Sequence, residues 1–299
     1  MFLLLLSSCK ESSNELINKG YKLYEKNEYE EAIKYLNKAY TIDQNNPKIY
    51  NIRALVKTRL NDFEGALHDY NKAIELNPYN DVAYNNRAIL KKRTQDYNGA
   101  LKDCNNAIEI NSDTSSYYYN KVDILLLMGN YKEALEATEI INSNFKNNKY
   151  FFLRGLALKG LENYEEAIIQ FDLILDKNDD YKTEALKELG HIYLKMLDFE
   201  KALSFLKMAE KESVYDFDIF FHSGYSYAML ENYEEAIRYF SKAIELNPDM
   251  EKTWWNLGYA YEQLDKIDNA CESYKKALDL GMEDIEGRAK NLCGEATFQ

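Results

Sequence analysis

Asn163-Tyr164-Glu165-Glu166-Ala167-Ile168 returns as Asn232-Tyr233-Glu234-Glu235-Ala236-Ile237, and with one change as Glu28-Tyr29-Glu30-Glu31-Ala32-Ile33. A second string, Lys72-Ala73-Ile74-Glu75-Leu76-Asn77-Pro78, returns at 242–248. The offsets are multiples of about 34 residues, a period typical of stacked helix–turn–helix units. At that period the chain divides into eight units, 13–46, 47–80, 81–114, 115–147, 148–182, 183–216, 217–250 and 251–284. A leader, 1–12, precedes them, and 285–299 reads as a short capping helix and tail.

Each unit carries two helical patterns joined by a turn such as Asn61-Asp62 or Leu197-Asp198. In seven units an aromatic opens the second helix, for example Tyr29, Phe63 and Tyr233. An alanine follows three residues later in all eight: Ala32, Ala66, Ala100, Ala134, Ala167, Ala202, Ala236 and Ala270. A close helix crossing requires such a residue, because a larger side chain would overpack it. The first helix brings its own small residue, as at Gly20, Ala54, Gly224 and Gly258. Glycine within a helix costs about 1 kcal/mol relative to alanine, a cost offset where two backbones pack closely. One unit alone exposes an apolar face, so stability comes from stacking neighbours.

Composition agrees. Among 299 residues there are 12 Gly, 3 Pro and four Val, too few turn and β-branched residues for a sheet protein. With 46% hydrophobic and 29% charged residues the chain is ordered rather than disordered. The net charge of −13 argues against nucleic acid as a partner. The four cysteines form no Cys-x-x-Cys pair and the three histidines are scattered, so no metal site is expected. No phosphate-binding loop, nucleophile elbow or dinucleotide fingerprint occurs, so neither catalysis nor a cofactor is expected.

The eight-unit pattern resembles the tetratricopeptide repeat. The eighth unit has Trp254, Leu257, Gly258, Tyr261, Ala270, Tyr274 and Ala277 where that family places them. The resemblance implies an all-α, right-handed superhelical solenoid closed by the capping helix, and a protein–protein interaction scaffold. It also implies a concave groove lined by positions two, five, nine, twelve and thirteen of each first helix. Carried onto this sequence, those positions hold nine cations and five carboxylates in an otherwise acidic chain. Such a groove would draw in an acidic protein or peptide. Asn51, Asn85, Arg59, Lys92 and Arg93 cluster in the second and third units, and Lys159 and Lys187 follow. The amides would hold a backbone and the cations its carboxylates. Toward the C-terminus the lining becomes aromatic, with Phe152, Phe221, Tyr225, Trp255 and Tyr259. That suggests an alternative ligand, a glycan or other small molecule. The plain structural alternatives are solvated lysines and aromatic packing between repeats. No unit has the Lys-x-x-x-Asn pair of the family's chaperone-tail clamp; Lys187 is followed by His191, which reads as a packing histidine.

Leu6-Ser7-Ser8-Cys9 resembles the bacterial lipoprotein lipobox, in which the cysteine is lipidated. The resemblance implies a membrane-anchored, extracytoplasmic protein tethered through Cys9. No Lys or Arg precedes the short apolar run Phe2–Leu6, so either the reading frame begins upstream or the match is accidental and the protein cytoplasmic. A Cys271–Cys293 bridge is open to a protein outside the cytoplasm, but spacing alone does not establish it. The fourth unit is the weakest. Val122 replaces the small residue, Thr138 and Ile141 depart from the pattern, and the polar stretch 142–148 is not expected to stay helical.

Overall fold

The repeat period becomes a succession of helix hairpins. The computed structural model describes residues 11–141, 146–176, 180–213, 215–282 and 286–294. Among these residues every regular element is a helix, seventeen in all. Cys9 and the rest of 1–10 lie outside the described residues, as do 142–145. The chain forms two compact units, one ending at Lys146 and the other beginning at Asn147.

The first unit contains α1 (Ser13–Glu25), α2 (Tyr29–Ile42), α3 (Pro47–Arg59), α4 (Phe63–Leu76), α5 (Asp81–Arg93), α6 (Tyr97–Ile110), α7 (Ser115–Leu127) and α8 (Tyr131–Glu139). The second contains α9 (Asn148–Gly160), α10 (Tyr164–Leu175), α11 (Tyr181–Lys195), α12 (Phe199–Glu212), α13 (Phe217–Met229), α14 (Tyr233–Leu246), α15 (Glu251–Gln263), α16 (Ile267–Asp279) and α17 (Glu286–Cys293). Within each unit consecutive helices pack as antiparallel pairs and successive pairs stack, which makes each a short solenoid.

One turn design closes the eight hairpins. The residue after the first helix's cap takes positive φ: Asn27, Asn61, Gln95, Gly129, Glu162, Leu197, Glu231 and Asp265. The next amide then reaches back into the last turn; Asp62 N–H donates to Lys57 O and Asn232 N–H to Tyr227 O, each at 2.9 Å. In four of the hairpins that same residue, Asp62, Asp96, Asp198 or Asn232, also caps the following helix with its side chain. The Asp62 carboxylate accepts from Gly65 N–H at 2.9 Å and Asp198 from Lys201 N–H at 3.1 Å. One short dipeptide therefore ends one helix and starts the next, which fixes the hairpin angle.

The crossing predicted from the alanine ladder is present. All eight alanines are fully buried. A Cβ placed on Gly224 would sit 2.7 Å from the Phe240 ring, and one on Gly258 would sit 2.6 Å from the Tyr274 ring. The fourth hairpin is abbreviated: α8 has nine residues, where the second helices elsewhere have twelve to fourteen. Its Thr138 is fully buried and donates its hydroxyl proton to Leu135 O at 2.6 Å, which satisfies the one polar atom it brings into the core. At the C-terminal end, Ala289 of α17 is buried against Ala270, Tyr274 and Ala277 of α16. The Cys271–Cys293 disulfide, left open by the sequence, is formed and ties α17 to α16. Among the described residues no helix is long and apolar enough to cross a membrane.

Candidate functional site

Within each unit the first helices of neighbouring pairs touch, α3 with α5, α5 with α7, α9 with α11, α11 with α13, and α13 with α15. Side chains at their groove positions therefore meet across repeats. The sixth residue of a repeat, which the inherited groove positions omit, reaches back to the preceding repeat. Asn86 Nδ2 donates to Asn51 Oδ1 at 3.3 Å, and Asn120 Nδ2 donates to Asn85 Oδ1 at 2.7 Å. Glu188 pairs with Lys159, and the ring of His222 lies 4.4 Å from that of His191. A spacing of about 29–35 residues between polar or ionic partners was the sequence signal for these contacts.

In the first unit the candidate residues are engaged with one another or with neighbouring repeats. Asn85 is buried and Asn51 half-buried, each with its carbonyl oxygen already accepting. Lys92 is ion-paired with Asp123, itself a groove position. Arg93 donates to Asn61 Oδ1 at 2.9 Å and stacks over Phe63 at 4.8 Å. Arg59 is exposed beside the Tyr24 hydroxyl, which holds its pKa above the ordinary arginine value.

The second unit builds a cavity of about 710 Å³. Its walls come chiefly from four first helices: Lys159 of α9; His191, Leu194 and Lys195 of α11; Phe221, His222 and Tyr225 of α13; and Lys252, Trp255 and Asn256 of α15. Leu197 and Met282 complete the described lining, which contains three lysines and no carboxylate. Lys159 and Trp255 are thus brought together, while Lys187 and Tyr259 stand outside the lining. Lys187 pairs with Asp216 at 2.8 Å and with Glu184 at 2.9 Å. Burial opposes its charge, but those two carboxylates outweigh burial and raise its pKa.

The two histidines form one neutral edge of the cavity. Burial, then His222, Lys159 and Lys187, push the His191 pKa down to about 3. Burial lowers His222 as well. His222 Nδ1–H donates to Asp218 O at 2.8 Å, so the proton sits on Nδ1. His191 Nε2 lies 3.3 Å from that same nitrogen, whose one proton is directed at Asp218 O. No described group of three or more His, Cys, Asp or Glu is arranged to hold a metal ion.

The far wall is braced by the capping helix. Arg288 lies over Trp255 and Tyr259, 5.4 Å from each ring, and donates to Glu262 at 2.9 and 3.2 Å. Trp255 packs on Tyr274 at 5.0 Å. Burial opposes the Glu262 charge, but Arg288 and the Tyr274 hydroxyl keep its pKa below the usual range. The disulfide that anchors α17 therefore also fixes the group that braces Trp255.

Family models of the tetratricopeptide repeat match residues 20–59, 47–80, 69–102, 224–265 and 251–280. No curated protein matches the chain. Among solved structures it is similar to a tetratricopeptide repeat protein from Parabacteroides merdae ATCC 43184, at 20% identity and TM-score 0.65, over 84% of this chain and 99% of that one. It is also similar to MamA from residue 41 onward of Desulfovibrio magneticus RS-1, at 25% identity and TM-score 0.51, over 55% of this chain and 93% of that one. A further MamA structure, AMB-1, is 21% identical with TM-score 0.50, over 56% of this chain and 92% of that one.

Proposed function

We propose that this chain, which carries tetratricopeptide repeats, is a non-enzymatic scaffold that holds a segment of another protein across the first-helix face of its second unit. The observation that carries this reading is the shared lining of the cavity. Four successive first helices each contribute side chains to one continuous concavity. Such a surface suits an extended ligand that touches several repeats in turn. The aromatic walls of Phe221, Tyr225 and Trp255 also favour a second reading, a sugar ring stacked on an aromatic platform.

The proposal includes a membrane tether through a lipid on Cys9. The lipobox-like Leu6-Ser7-Ser8-Cys9 supports it. So does the Cys271–Cys293 bridge, because disulfides persist in oxidising compartments outside the cytoplasm. Acyl chains contribute about 0.8 kcal/mol per buried CH₂, so two or three of them hold a protein firmly.

A photo-crosslinking residue at position 225 tests the first part. It should join the protein to a discrete partner polypeptide, and Trp255→Ala should abolish the adduct. A crosslinker at Ile169, which is 57% exposed on α10, is the control and should give none. A glycan ligand would leave no polypeptide adduct at 225. The tether is tested by Cys9→Ser, which should move the protein from the membrane to the soluble fraction and remove acyl labelling; an unlabelled soluble wild type would refute it.

A further inference from the structure

We infer that the cavity in the second unit selects protein segments in which bulky apolar side chains alternate with carboxylates. This rests on the reading of that cavity as a segment-binding face and specifies the segment's chemistry.

Charge complementarity is the first argument. The whole chain has 50 Asp and Glu against 37 Lys and Arg, yet the described lining holds Lys159, Lys195 and Lys252 and no carboxylate. Lys159 is ion-paired with Glu188. The ammonium groups of Lys195 and Lys252 have no hydrogen-bond or ion-pair partner among the described residues, and both side chains are exposed at the cavity. They stand on α11 and α15, two first helices apart, with α13 between them. The lining of α13 supplies no competing charge, because burial holds His222 below its ordinary pKa and His191 opposite is held lower still.

Shape is the second argument. Phe221, Tyr225 and Trp255 form apolar walls between the two lysines. Helices in contact lie about 10 Å apart, so α11 to α15 spans about 20 Å. Lys195 ends α11 and Lys252 stands in the first turn of α15, which adds about 16 Å along the helix axes and makes the diagonal about 26 Å. An extended chain rises about 3.3 Å per residue, so about eight residues cross that diagonal. In an extended segment successive side chains point to opposite sides. Every second residue can then enter the aromatic walls while the alternate ones reach the flanking ammonium groups. A compact neutral ligand would leave at least one lysine unused.

Calorimetry on the full-length protein, with capped octapeptides as probes, tests the inference. One probe alternates glutamate and phenylalanine, a second replaces glutamate by lysine, a third replaces phenylalanine by alanine, and maltohexaose is the fourth. The glutamate–phenylalanine peptide should bind at least about tenfold more tightly than any other, since one charge-assisted hydrogen bond is worth about that factor. Its affinity should fall with added salt. The double variant Lys195→Glu/Lys252→Glu should invert the preference, so that the lysine–phenylalanine peptide binds the more tightly. Both positions are exposed, and unchanged far-ultraviolet circular dichroism will show that the variant folds. Equal affinity for the two charged peptides, or no inversion in the variant, overturns the inference while the segment-binding reading stands. Binding of maltohexaose with no peptide bound overturns both. Failure of all four probes overturns the inference, and the crosslink at position 225 then decides the broader reading separately.

Discussion

The second and third repeats of the first unit and the sixth and seventh of the second place different chemistry at the same positions of the same hairpin. In the first unit those positions hold ions. Arg53 donates to Asp69 at 2.7 and 2.8 Å, and Lys57 pairs with the same carboxylate at 2.8 Å. One repeat later Arg87 and Lys91 do the same to Asp103. Asp69 is fully buried and Asp103 almost so. In the second unit the corresponding positions are Leu189, Tyr193 and Phe205, then Ser223, Tyr227 and Tyr239. Tyr193 stacks on Phe205 at 5.4 Å and Tyr227 lies 5.2 Å from Tyr239. Ser223 Oγ, where the arginine would stand, is buried with no hydrogen-bond partner among the described residues. The backbone design therefore specifies a filled volume between the paired helices and leaves its polarity free, and it tolerates a lone serine hydroxyl while the buried charges are all paired.

Removing one member of the ionic set should have the largest effect. Asp69→Ala leaves two cations uncompensated and should destabilise by about 3–5 kcal/mol, with hydrogen exchange rising first in α3–α5. Copying the other unit by Arg53→Leu, Lys57→Tyr and Asp69→Phe together should instead be near neutral in a urea melt, because well-packed apolar groups often replace a buried ion set without loss. A triple variant as unstable as Asp69→Ala would show that the aromatic solution is not transferable.

Cys293→Ser comes next. The bridge closes 22 residues of sequence separation, for which loop-closure entropy gives about 3 kcal/mol. The loss should be confined to α17 and the Arg288–Trp255 contact, seen as early exchange of the 286–293 amides. Uniform exchange across the second unit would contradict nearest-neighbour coupling. Gly224→Ala should cost about 1–3 kcal/mol, since its Cβ would meet the Phe240 ring at 2.7 Å. An unchanged melting curve would remove the close crossing as the reason for glycine there.

The smallest effect is pH-dependent. His191 titrates near 3 in the folded chain and near 6.5 when unfolded, so between those values the unfolded state binds more protons. Stability is therefore fully present above pH 6.5 and falls as pH drops, by at most about 1.4 kcal/mol per pH unit from this group. His191→Gln should flatten that slope in urea melts between pH 6.5 and 5. An identical slope would show that His191 does not carry it.

Much of this architecture was legible because a repeat states its packing several times. Ala236 and Gly224 announced a close crossing by recurring at one register, and the crossing is where they place it. The turn residues were less legible. Leu197 and Glu231 adopt positive φ without being glycine, because the backbone bonds of the closing turn hold a conformation that their side chains do not favour. At the candidate site the sequence brought out Lys159, Phe221, Tyr225 and Trp255, and the inherited groove positions also include His191, Leu194, Lys195 and Lys252, but not the whole lining. His222 and Asn256 fall one position beyond the inherited groove set, and Met282 comes from a loop after α16.

The all-helical repeat, its period and its small-residue crossings can be read along one chain, because they depend on side-chain size at fixed intervals. Which groove charges already have partners follows from how the repeats pack. Lys92 and Asp123, or Lys187 and Asp216, lie about thirty residues apart, and whether they meet depends on how successive first helices register against one another. The same is true of the disulfide, since a bridge needs two Cα atoms within reach, here 5.7 Å. Composition counts charges, but only the packed helices show which of them remain free to bind.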